Sequence, residues 1–356
     1  MHRYLELSEE GGSAHKFYEA RAEGCTLTVR YGRIGTEGQT QVRIFATPEE
    51  AQAEAQKKLA EKRRKGYMDA VAGEREKRAV PQPALRLPKA LSSYREVLEA
   101  SVRPYVALKG SPPRPTMSPW TSKLGGVPYR PLGSAWPLAS DGQPLAFLAQ
   151  LNFAELPPLA GFPQQGIVQF FIRDDDFYGA NFDGALDMTS LADDANYRVL
   201  YHPEVIPDPA GLEQTLPVGV PGSDDSILGL PHDPTLTFEL RGELRSGPVT
   251  SDDRLFDQLV GQSLWELGDT EDVNADDLSD RYALLAGSGH KLGGYPNFTQ
   301  HDPRSVDDPH VLLFQLDSDD DLSLMWGDVG IANFFIHPDD LTRADFSRVV
   351  FHWDCC

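Results

Sequence analysis

The first part of the chain alternates apolar and polar positions in a way that is typical of strands. In the segment QVRIFAT, Val42, Ile44 and Ala46 alternate with their neighbours, which predicts a half-buried strand. The segment CTLTVRYGRIG, residues 25–35, is rich in β-branched residues and ends in glycine turns, which favours another strand. Together these segments predict a small antiparallel sheet.

A helix is expected directly after these strands, over residues 47–66. Thr47 can cap its N-terminus, Pro48 suits the first helical position, and Glu50 completes a capping box. The apolar face of this helix is narrow and comprises Ala51, Ala55 and Leu59. Basic residues crowd its C-terminal half, where they complement the helix dipole: Lys57, Lys58, Lys62, Arg63, Arg64 and Lys65.

The rest of the chain repeats one pattern of turn and apolar residues. The sequence KLGGVP at 123–128 returns as KLGGYP at 291–296. Each copy is followed by a dense apolar run with one glutamine, Gln150 in FLAQL and Gln315 in LLFQL, and then by GIVQFFIRDDD or GIANFFIHPDD. Because three landmarks recur in the same order at similar spacing, we interpret the region as a duplicated unit.

These patterns predict two domains of the α+β class. A small antiparallel sheet with a helix is expected over residues 1–72, a charged, proline-containing linker over 73–88, and a larger β-rich α+β domain over 89–356. The expected parts of the larger domain are two repeat units at about residues 118–176 and 286–341, with an acidic insert at 177–285. A helix is expected in the insert, with these residues on one side: Leu255, Leu259, Val260 and Leu264.

The net charge of the chain is −21, but it is unevenly distributed. Residues 1–80 hold 15 Lys and Arg against 13 Asp and Glu, a net charge of +2, which leaves −23 for the remainder. An acidic body repels nucleic acid, so we expect nucleic-acid binding only in the head, and a basic protein partner for the body. Three cysteines cannot form a disulfide framework, which favours a cytoplasmic setting. Neither a signal peptide nor a membrane span is expected.

The tripeptide Tyr31-Gly32-Arg33 and its surroundings resemble a WGR domain over about residues 2–72. The likeness also rests on KFYEARAEGCTLTVRYGRIGTEGQTQVRIF, on the helix after it and on the closing KRRKGYMDA, although Tyr31 stands where the family usually has Trp. Polymerase members of the family contact DNA ends, so the resemblance implies that Tyr31 stacks and Arg33 donates to phosphate. The basic residues that we assign to the same interface are Lys62, Arg63, Arg64 and Lys65. Protein binding and a scaffolding role are the alternatives.

The remainder resembles the YwqG-like family, which is catalogued as of unknown function. The likeness covers about residues 100–356 and rests on SKLGGVPYRPLGSAWPLASDGQPLAFLAQLNFAELP, HKLGGYPNFTQHDP, LLFQLDSD and MWGDVGIANFFIHPDDL. It implies a fold rather than a chemistry. Because some members lie beside toxin genes, it also permits an immunity-type role.

No catalytic or cofactor motif is found in the sequence. Walker, GxGxxG, HExxH and CxxC sequences are absent, so we expect no cofactor and name no catalytic residue. Asp317, Asp319 and Asp321 form D-x-D-x-D, and Asp328 takes the twelfth position of a calcium loop. Leu322 stands where that loop needs glycine, which favours a solvated turn over a metal site.

The paired glycine turns are a second candidate site. Consecutive glycines let a backbone approach a partner closely, and a glutamine inside an apolar run needs hydrogen-bond partners. Two interpretations remain open: each glutamine ties its turn to a strand, or the two copies form a shared ligand groove. The residues concerned are Lys123, Gly125, Gly126, Gln150, Lys291, Gly293, Gly294 and Gln315.

These features favour a non-enzymatic binding or adaptor protein of bacterial type. Its head would engage nucleic acid or a protein, and its acidic body has no assigned role. The alternative is an immunity or antitoxin-like protein whose acidic body covers a basic toxin or enzyme. A hydrolase or transferase without a recognisable motif is a third hypothesis.

Overall fold

The computed structural model of the chain divides into two compact units, Met1–Ala84 and Leu85–Cys356, here called the head and the body. The residues that it describes are 1–8, 15–34, 36, 38–70, 85–114, 117–182, 187–192, 194–223, 229–268 and 274–356. Most of the expected linker, at 73–84, lies outside these residues, whereas 85–88 are described and have no regular structure.

The head is an antiparallel sheet with one helix packed on it. Its described elements are β1 His2–Ser8, β2 His15–Glu23, β3 Thr26–Arg33, β4 Gln39–Ile44, α1 Pro48–Arg64 and β5 Met68–Asp69. In the described part of the head the strand order is β4-β3-β2-β1-β5. Thr47 caps the helix as predicted, because Glu50 N–H donates to Thr47 Oγ1 at 3.2 Å. The Glu50 carboxylate reaches one residue further back than in a capping box and accepts from the Ala46 N–H at 3.1 Å.

The core of the head lies between α1 and the strands β2 and β3. The predicted helix face is buried and comprises Ala51, Ala55 and Leu59. The predicted burial of β4 is wrong, because Val42 is 60% exposed and Ile44 is 81% exposed. β4 is an edge strand, and the neighbouring Phe45 packs against the core instead. The alternation therefore identified the strand but not the side that faces the core.

The body is built mainly from strands. Its described strands are β6 Arg103–Gly110, β7 Lys123–Leu124, β8 Ala146–Asn152, β9 Ile167–Ile172, β10 Tyr197–His202, β11 Phe238–Gly247, β12 Lys291–Gly293, β13 Val311–Asp317, β14 Ile331–Ile336 and β15 Val350–Asp354. Its described helices are α2 Arg95–Ala100, α3 Met188–Leu191, α4 Phe256–Val260, α5 Leu264–Gly268, α6 Ala275–Ala286 and α7 Pro338–Thr342. Among the described residues of the body the strands form one sheet, in the order β10-β9-β8-β7-β11-β6-β12-β13-β14-β15.

The predicted duplication is visible in this order. The first half consists of β11 and β7 to β10, the second half consists of β6 and β12 to β15, and β11 pairs with β6 between them. Lys123 pairs with Gln150 in the first half as Lys291 pairs with Gln315 in the second. Each half also carries an irregularity at the same place, between β8 and β9 and between β13 and β14.

The stretch expected as an acidic insert, residues 177–285, contributes to the sheet. It supplies β10 at the outer edge of the first half and β11 at the centre. The helix expected in this stretch is instead two short helices, α4 and α5, because Gly261 adopts a left-handed conformation between them. Leu259 was expected on the apolar side but is 37% exposed, whereas Val260 and Leu264 are buried.

The sheet curls into a near-barrel with the main apolar core inside. The Phe170 ring of the first half lies 4.7 Å from Phe314 and 4.6 Å from Phe334 of the second half, between ring centroids. The edges of the sheet approach each other, since Tyr197 Oη in β10 donates to the Val349 carbonyl beside β15 at 3.0 Å.

Candidate nucleic-acid interface and candidate ligand cavity

Strands β2 and β3 place aromatic and basic side chains in facing pairs. Tyr31 lies opposite Tyr18, and Arg33 lies opposite Lys16. The two tyrosine rings are stacked, with centroids 6.3 Å apart and planes 23° from parallel. Because alternate residues of a strand face the same side, all four residues lie on the side of the sheet that α1 covers.

Lys62 connects the end of α1 to this aromatic pair. Its Nζ lies 4.8 Å from the centroid of the Tyr18 ring and 5.4 Å from that of Tyr67, within the range of cation–π attraction. Burial raises the pKa of Tyr18 to about 12, so its ring stays neutral at physiological pH. The structure therefore brings the predicted Tyr31 and Lys62 together through Tyr18, which the sequence analysis did not identify.

The other predicted basic residues differ in how their charge is compensated. Arg63 donates to both carboxylate oxygens of Asp69, at 2.9 and 3.0 Å, and Lys65 donates to Glu61 at 2.7 Å. Arg64 is exposed at the end of the helix. Lys16 and Arg33 are also exposed, and within the described chain neither has an ion-pair partner. We call Lys16, Tyr18, Tyr31, Arg33 and Lys62 the head surface.

Gly32 is needed for the shape of this surface. A Cβ at this position would lie 2.7 Å from the Cα of Gly38 and 3.3 Å from the Phe17 ring, so a larger residue would push the following turn away. The turn is fixed by the Thr36 hydroxyl, which donates to the Arg33 carbonyl at 2.7 Å. Gln41 Nε2 donates to Tyr31 Oη at 3.0 Å and orients that ring.

In the first half of the body, Gln150 ties the glycine turn to the sheet. Its Oε1 accepts from the Tyr129 N–H at 2.7 Å, and its Nε2 donates to the carbonyls of Pro119 and Thr121 at 2.8 and 2.9 Å. Gly125 and Gly126 have φ of +66° and +72°, which other residues rarely adopt. A Cβ on Gly125 would lie 2.3 Å from the Leu236 carbonyl oxygen.

The second half repeats this arrangement with Gln315. Its Oε1 accepts from the Asn297 N–H at 2.7 Å, and its Nε2 donates to the Gly289 carbonyl at 2.8 Å. Gly293 and Gly294 again have positive φ, of +70° and +75°. These bonds are the ones that the structural interpretation of the turns predicts.

The two lysines of the turns are interior residues rather than a basic lining. Lys123 is 2% exposed and Lys291 is 1% exposed. Burial lowers the pKa of Lys123 to about 8 and that of Lys291 to about 7. Lys291 Nζ donates to the Gly287 carbonyl at 2.6 Å and to Asn297 Oδ1 at 2.7 Å. The geometry shows packed turns, and the shared ligand groove stays a prediction.

A cavity of about 260 Å³ lies instead at the end of β15. Its lining is aromatic and polar: Asp176, Phe177, Phe182, Gln300, His301, His352, Trp353, Asp354 and Cys355. Asp354 anchors the loop beside it, because Oδ2 accepts from the N–H groups of Thr299 and Gln300 at 3.0 and 2.7 Å. A larger and more acidic cavity, of about 480 Å³, lies on the other side of Gln300 and His301. We call the smaller one the β15 cavity.

Two buried side chains of the β15 cavity are incompletely paired. His352 is 3% exposed and Asp354 is 8% exposed. His352 Nδ1 and Asp354 Oδ1 have no hydrogen-bond partner among the residues that the structure describes. Burial lowers the pKa of His352 to about 4, and burial also raises the pKa of Asp354. Since buried polar atoms are nearly always bonded, each of these atoms needs an explanation.

A family model described as "Domain of unknown function (DUF1963)" matches residues 122–355. The chain belongs to this family. A second model, described as "WGR domain", matches residues 1–74. The predicted architecture, a WGR domain followed by a YwqG-like domain, is confirmed.

The other comparisons add little to the DUF1963 assignment. No curated protein matches the chain. A crystal structure of a protein from Bacteroides fragilis is similar to it at 30% identity, with a TM-score of 0.20. The similarity covers 26% of this chain and 26% of that one, so the chain matches about a quarter of that protein.

The four aspartates with the spacing of a calcium loop, which we interpreted as a solvated turn, lie in the DUF1963 domain. Among all described residues, no three or more His, Cys, Asp or Glu side chains are grouped so that they could hold a metal ion. Asp319 instead accepts from the Asp321 N–H at 2.9 Å and lies 3.1 Å from His290 Nε2. In the described part of the chain, no helix is both long and apolar enough to span a membrane.

His352 and Asp354 are the DUF1963 residues that sequence reasoning missed. No signal in the sequence pointed to them, because both lie outside the predicted repeat units. The strand register pairs His352 with Asn333 as it pairs Leu200 with Gln169, and in the same way Asp354 corresponds to His202. At both positions the two copies therefore carry different residues.

Proposed function

We propose that the protein is a non-enzymatic binding protein whose WGR domain engages the sugar-phosphate backbone of nucleic acid. The observation that carries this proposal is the facing pair of Lys16 and Arg33, both exposed and, within the described residues, without a carboxylate partner. Like charges directly opposite each other on neighbouring strands are unfavourable. A phosphate between them would remove this repulsion and accept charge-assisted hydrogen bonds.

The aromatic part of the head surface supports the same proposal. Tyr31 lies beside the basic pair and is held by Tyr18 and Gln41 in one orientation. A base or sugar at the end of a strand could pack on this ring, while Lys62 adds positive charge nearby. Stacking of a base on an aromatic side chain is worth about 1–3 kcal/mol and tolerates any sequence. The interface would therefore recognise the backbone and the end of a duplex rather than a base sequence.

The test uses the full chain and a nicked duplex with a 5′-phosphate, with binding followed by fluorescence anisotropy at about 50 and about 200 mM salt. Lys16→Gln and Arg33→Gln should each weaken binding and reduce the slope of log K against log salt by about 1. The matched control is Arg21→Gln, because Arg21 is exposed on the same strand as Lys16 but faces the other side of the sheet.

A second pair of variants tests the aromatic contact. Tyr31→Ala should weaken binding roughly tenfold through loss of stacking, whereas Tyr31→Trp, which restores the residue usual in the family, should retain or improve it. Absence of binding by the wild-type chain at the lower salt concentration would overturn the proposal. Equal losses in Arg33→Gln and Arg21→Gln would also overturn it.

A further inference from the structure

We propose that the β15 cavity is a binding site for a guanidinium group. The site lies in the DUF1963 domain and does not depend on the proposed function of the head. The side chains that line the cavity, and the hydrogen-bonding atoms among them that have no partner in the described part of the chain, support this site.

The chemistry of the lining favours an organic cation. Asp176 and Asp354 supply carboxylates, and Phe177, Phe182 and Trp353 supply aromatic faces and edges. Aromatic rings attract cations, and carboxylates pair with them, so this combination selects positive charge with an apolar flank. A metal ion is disfavoured, because the rings offer no ligand atoms and no metal-binding group of side chains is found among the described residues.

The unpartnered atoms specify a ligand that donates several hydrogen bonds. Asp354 uses Oδ2 for two backbone N–H groups, while its buried Oδ1 has no partner in the described part of the chain. His352, held neutral by burial, leaves Nδ1 unpartnered in the same way. A guanidinium carries five N–H donors in a plane and can meet separate acceptors at once, which a compact ammonium group does less well.

The walls of the cavity are held in place by hydrogen bonds between the residues that line it. Trp353 Nε1 donates to the Phe177 carbonyl at 2.8 Å, which fixes the loop of Phe177 on β15. Gln300 Nε2 donates to the Cys355 carbonyl at 2.6 Å, which fixes the opposite wall. Tyr178, between these walls and the core, has a positive φ of 53° and packs 4.8 Å from Trp353, between ring centroids. A site assembled on both sides in this way is preformed for its ligand.

The first half of the body has different side chains at the corresponding place. Leu200 replaces His352 and His202 replaces Asp354. His202 Nε2 bonds with Gln169 Oε1 at 3.0 Å, so the polar atoms there are paired within the protein. The acidic version, with its unpartnered atoms, lines the β15 cavity, which is expected if a ligand completes it.

The test is isothermal titration calorimetry of the full chain with agmatine as the free guanidinium compound and with a capped tripeptide that has a central arginine. We expect a Kd of about 0.1–1 mM for at least one of them. The neutral citrulline tripeptide should not bind measurably. Tighter binding of the arginine peptide than of agmatine would indicate a protein side chain as the natural ligand, and the reverse would indicate a small molecule.

Asp354→Asn is the decisive variant, because asparagine keeps an oxygen for the two backbone N–H groups but loses the charge. It should weaken binding at least tenfold. Glu204→Gln is the matched control, since it removes the same charge from an exposed position of the body and should leave binding unchanged. His352→Leu, which copies the residue of the first half, should weaken binding several-fold while the protein stays folded.

Several results would overturn the proposal. Agmatine and the arginine peptide could both fail to bind the wild-type chain at millimolar concentration. Asp354→Asn and Glu204→Gln could bind equally well, although thermal unfolding shows both variants folded. Calcium or zinc alone could bind in a manner that depends on Asp354, in the absence of any response to agmatine. Each of these outcomes excludes a guanidinium site in the β15 cavity.

Discussion

The two halves of the body carry corresponding rows of polar residues on their outer faces, but within the described part of the chain only the second row contains buried side-chain atoms without a hydrogen-bond partner. The row runs through Lys123, Gln150 and Gln169 in the first half, and through Lys291, Gln315, Asn333 and His352 in the second. Gln169 Oε1 bonds with the imidazole of His202 at 3.0 Å. Asn333 is one methylene shorter, and its Oδ1 has no partner among the described residues.

The duplicated unit therefore has inner positions that are the same in both halves and outer positions that differ. The inner positions, where Gln150 and Gln315 hold the glycine turns, make the same bonds in both halves. The outer positions differ in size, charge and pairing. Positions where buried polar atoms lack hydrogen-bond partners are often functional sites. The second half is therefore the better candidate for binding a ligand.

The largest expected effect concerns a buried ion cluster of the second half. Arg304 donates to Asp253 at 2.8 Å and to Asp302 at 2.6 Å, and all three side chains are at most 4% exposed. Arg304→Met should lower the free energy of unfolding by about 3–5 kcal/mol, because two buried carboxylates lose the guanidinium that is hydrogen-bonded to them. Urea unfolding at neutral pH measures this.

A more exposed ion pair in the first half gives a control. Arg130 is more exposed and lies 3.7 Å from Glu213, so Arg130→Met should lower the free energy of unfolding by about 1 kcal/mol. Equal losses of unfolding free energy in Arg304→Met and Arg130→Met would contradict the expectation that the buried ion cluster stabilises the body more than the exposed pair does.

The second prediction concerns the feature that the halves share. Gln150→Ala and Gln315→Ala should each lower the free energy of unfolding by about 2–3 kcal/mol, because each leaves a buried backbone N–H and at least one carbonyl unpaired. Urea unfolding of both variants checks the equality. A loss confined to one of them would contradict the equivalence of the turns.

The third prediction uses the pH dependence of stability. Burial lowers the pKa of Lys291 to about 7, so between this value and the unfolded pKa near 10.4 the unfolded state binds more protons. Stability should therefore rise with pH, by on the order of 2 kcal/mol between pH 7 and 9. Lys291→Met should lose this increment.

Lys123 is the first-half equivalent of Lys291 and should make a smaller pH-dependent contribution to stability. Its pKa is lowered less, to about 8, so its contribution should begin at higher pH and be smaller. Denaturant unfolding at pH 7, 8 and 9 of the wild type and of Lys123→Met and Lys291→Met tests the order. An unchanged pH dependence in Lys291→Met would show that another group carries it.

The smallest effect is expected from exchanging the divergent residues. His352→Leu removes an unpaired buried imidazole nitrogen and should raise the free energy of unfolding by about 1 kcal/mol in the absence of ligand. Leu200→His should lower it by a similar amount, since Leu200 packs against a small apolar cluster. Thermal unfolding decides this, and a loss of stability in both variants would argue that His352 is structural.

Much of the fold could be predicted, because it depends on local chemistry. The helix cap of Thr47 is a short-range signal, and the copied KLGG sequences with Gln150 and Gln315 identify the duplication directly. The exposure of Val42 and Ile44 could not be predicted, since alternation alone does not say whether a strand lies at an edge. Leu259 was misplaced for a similar reason, because the turn at Gly261 breaks the helical period.

The candidate sites were predictable to different degrees. Tyr31, Arg33 and Lys62 followed from a family resemblance, whereas Lys16 and Tyr18 required the register of β2 and β3. The β15 cavity combines Phe177, Gln300 and His352, which are far apart in sequence and meet only through the curled sheet. The immunity-type alternative remains a prediction, and no observation of the structure favours it over nucleic-acid binding.

The order of strands at the centre of the body has a consequence for how the protein is made. β6 precedes the first copy in the chain but pairs with β12 of the second, and β11 precedes the second copy but pairs with β7 of the first. The copies are therefore interlocked, and neither can close its sheet alone. On the ribosome, the first copy must wait with an open edge until residues 238–247 have emerged. A gene split between the copies would yield two aggregation-prone fragments rather than two working modules.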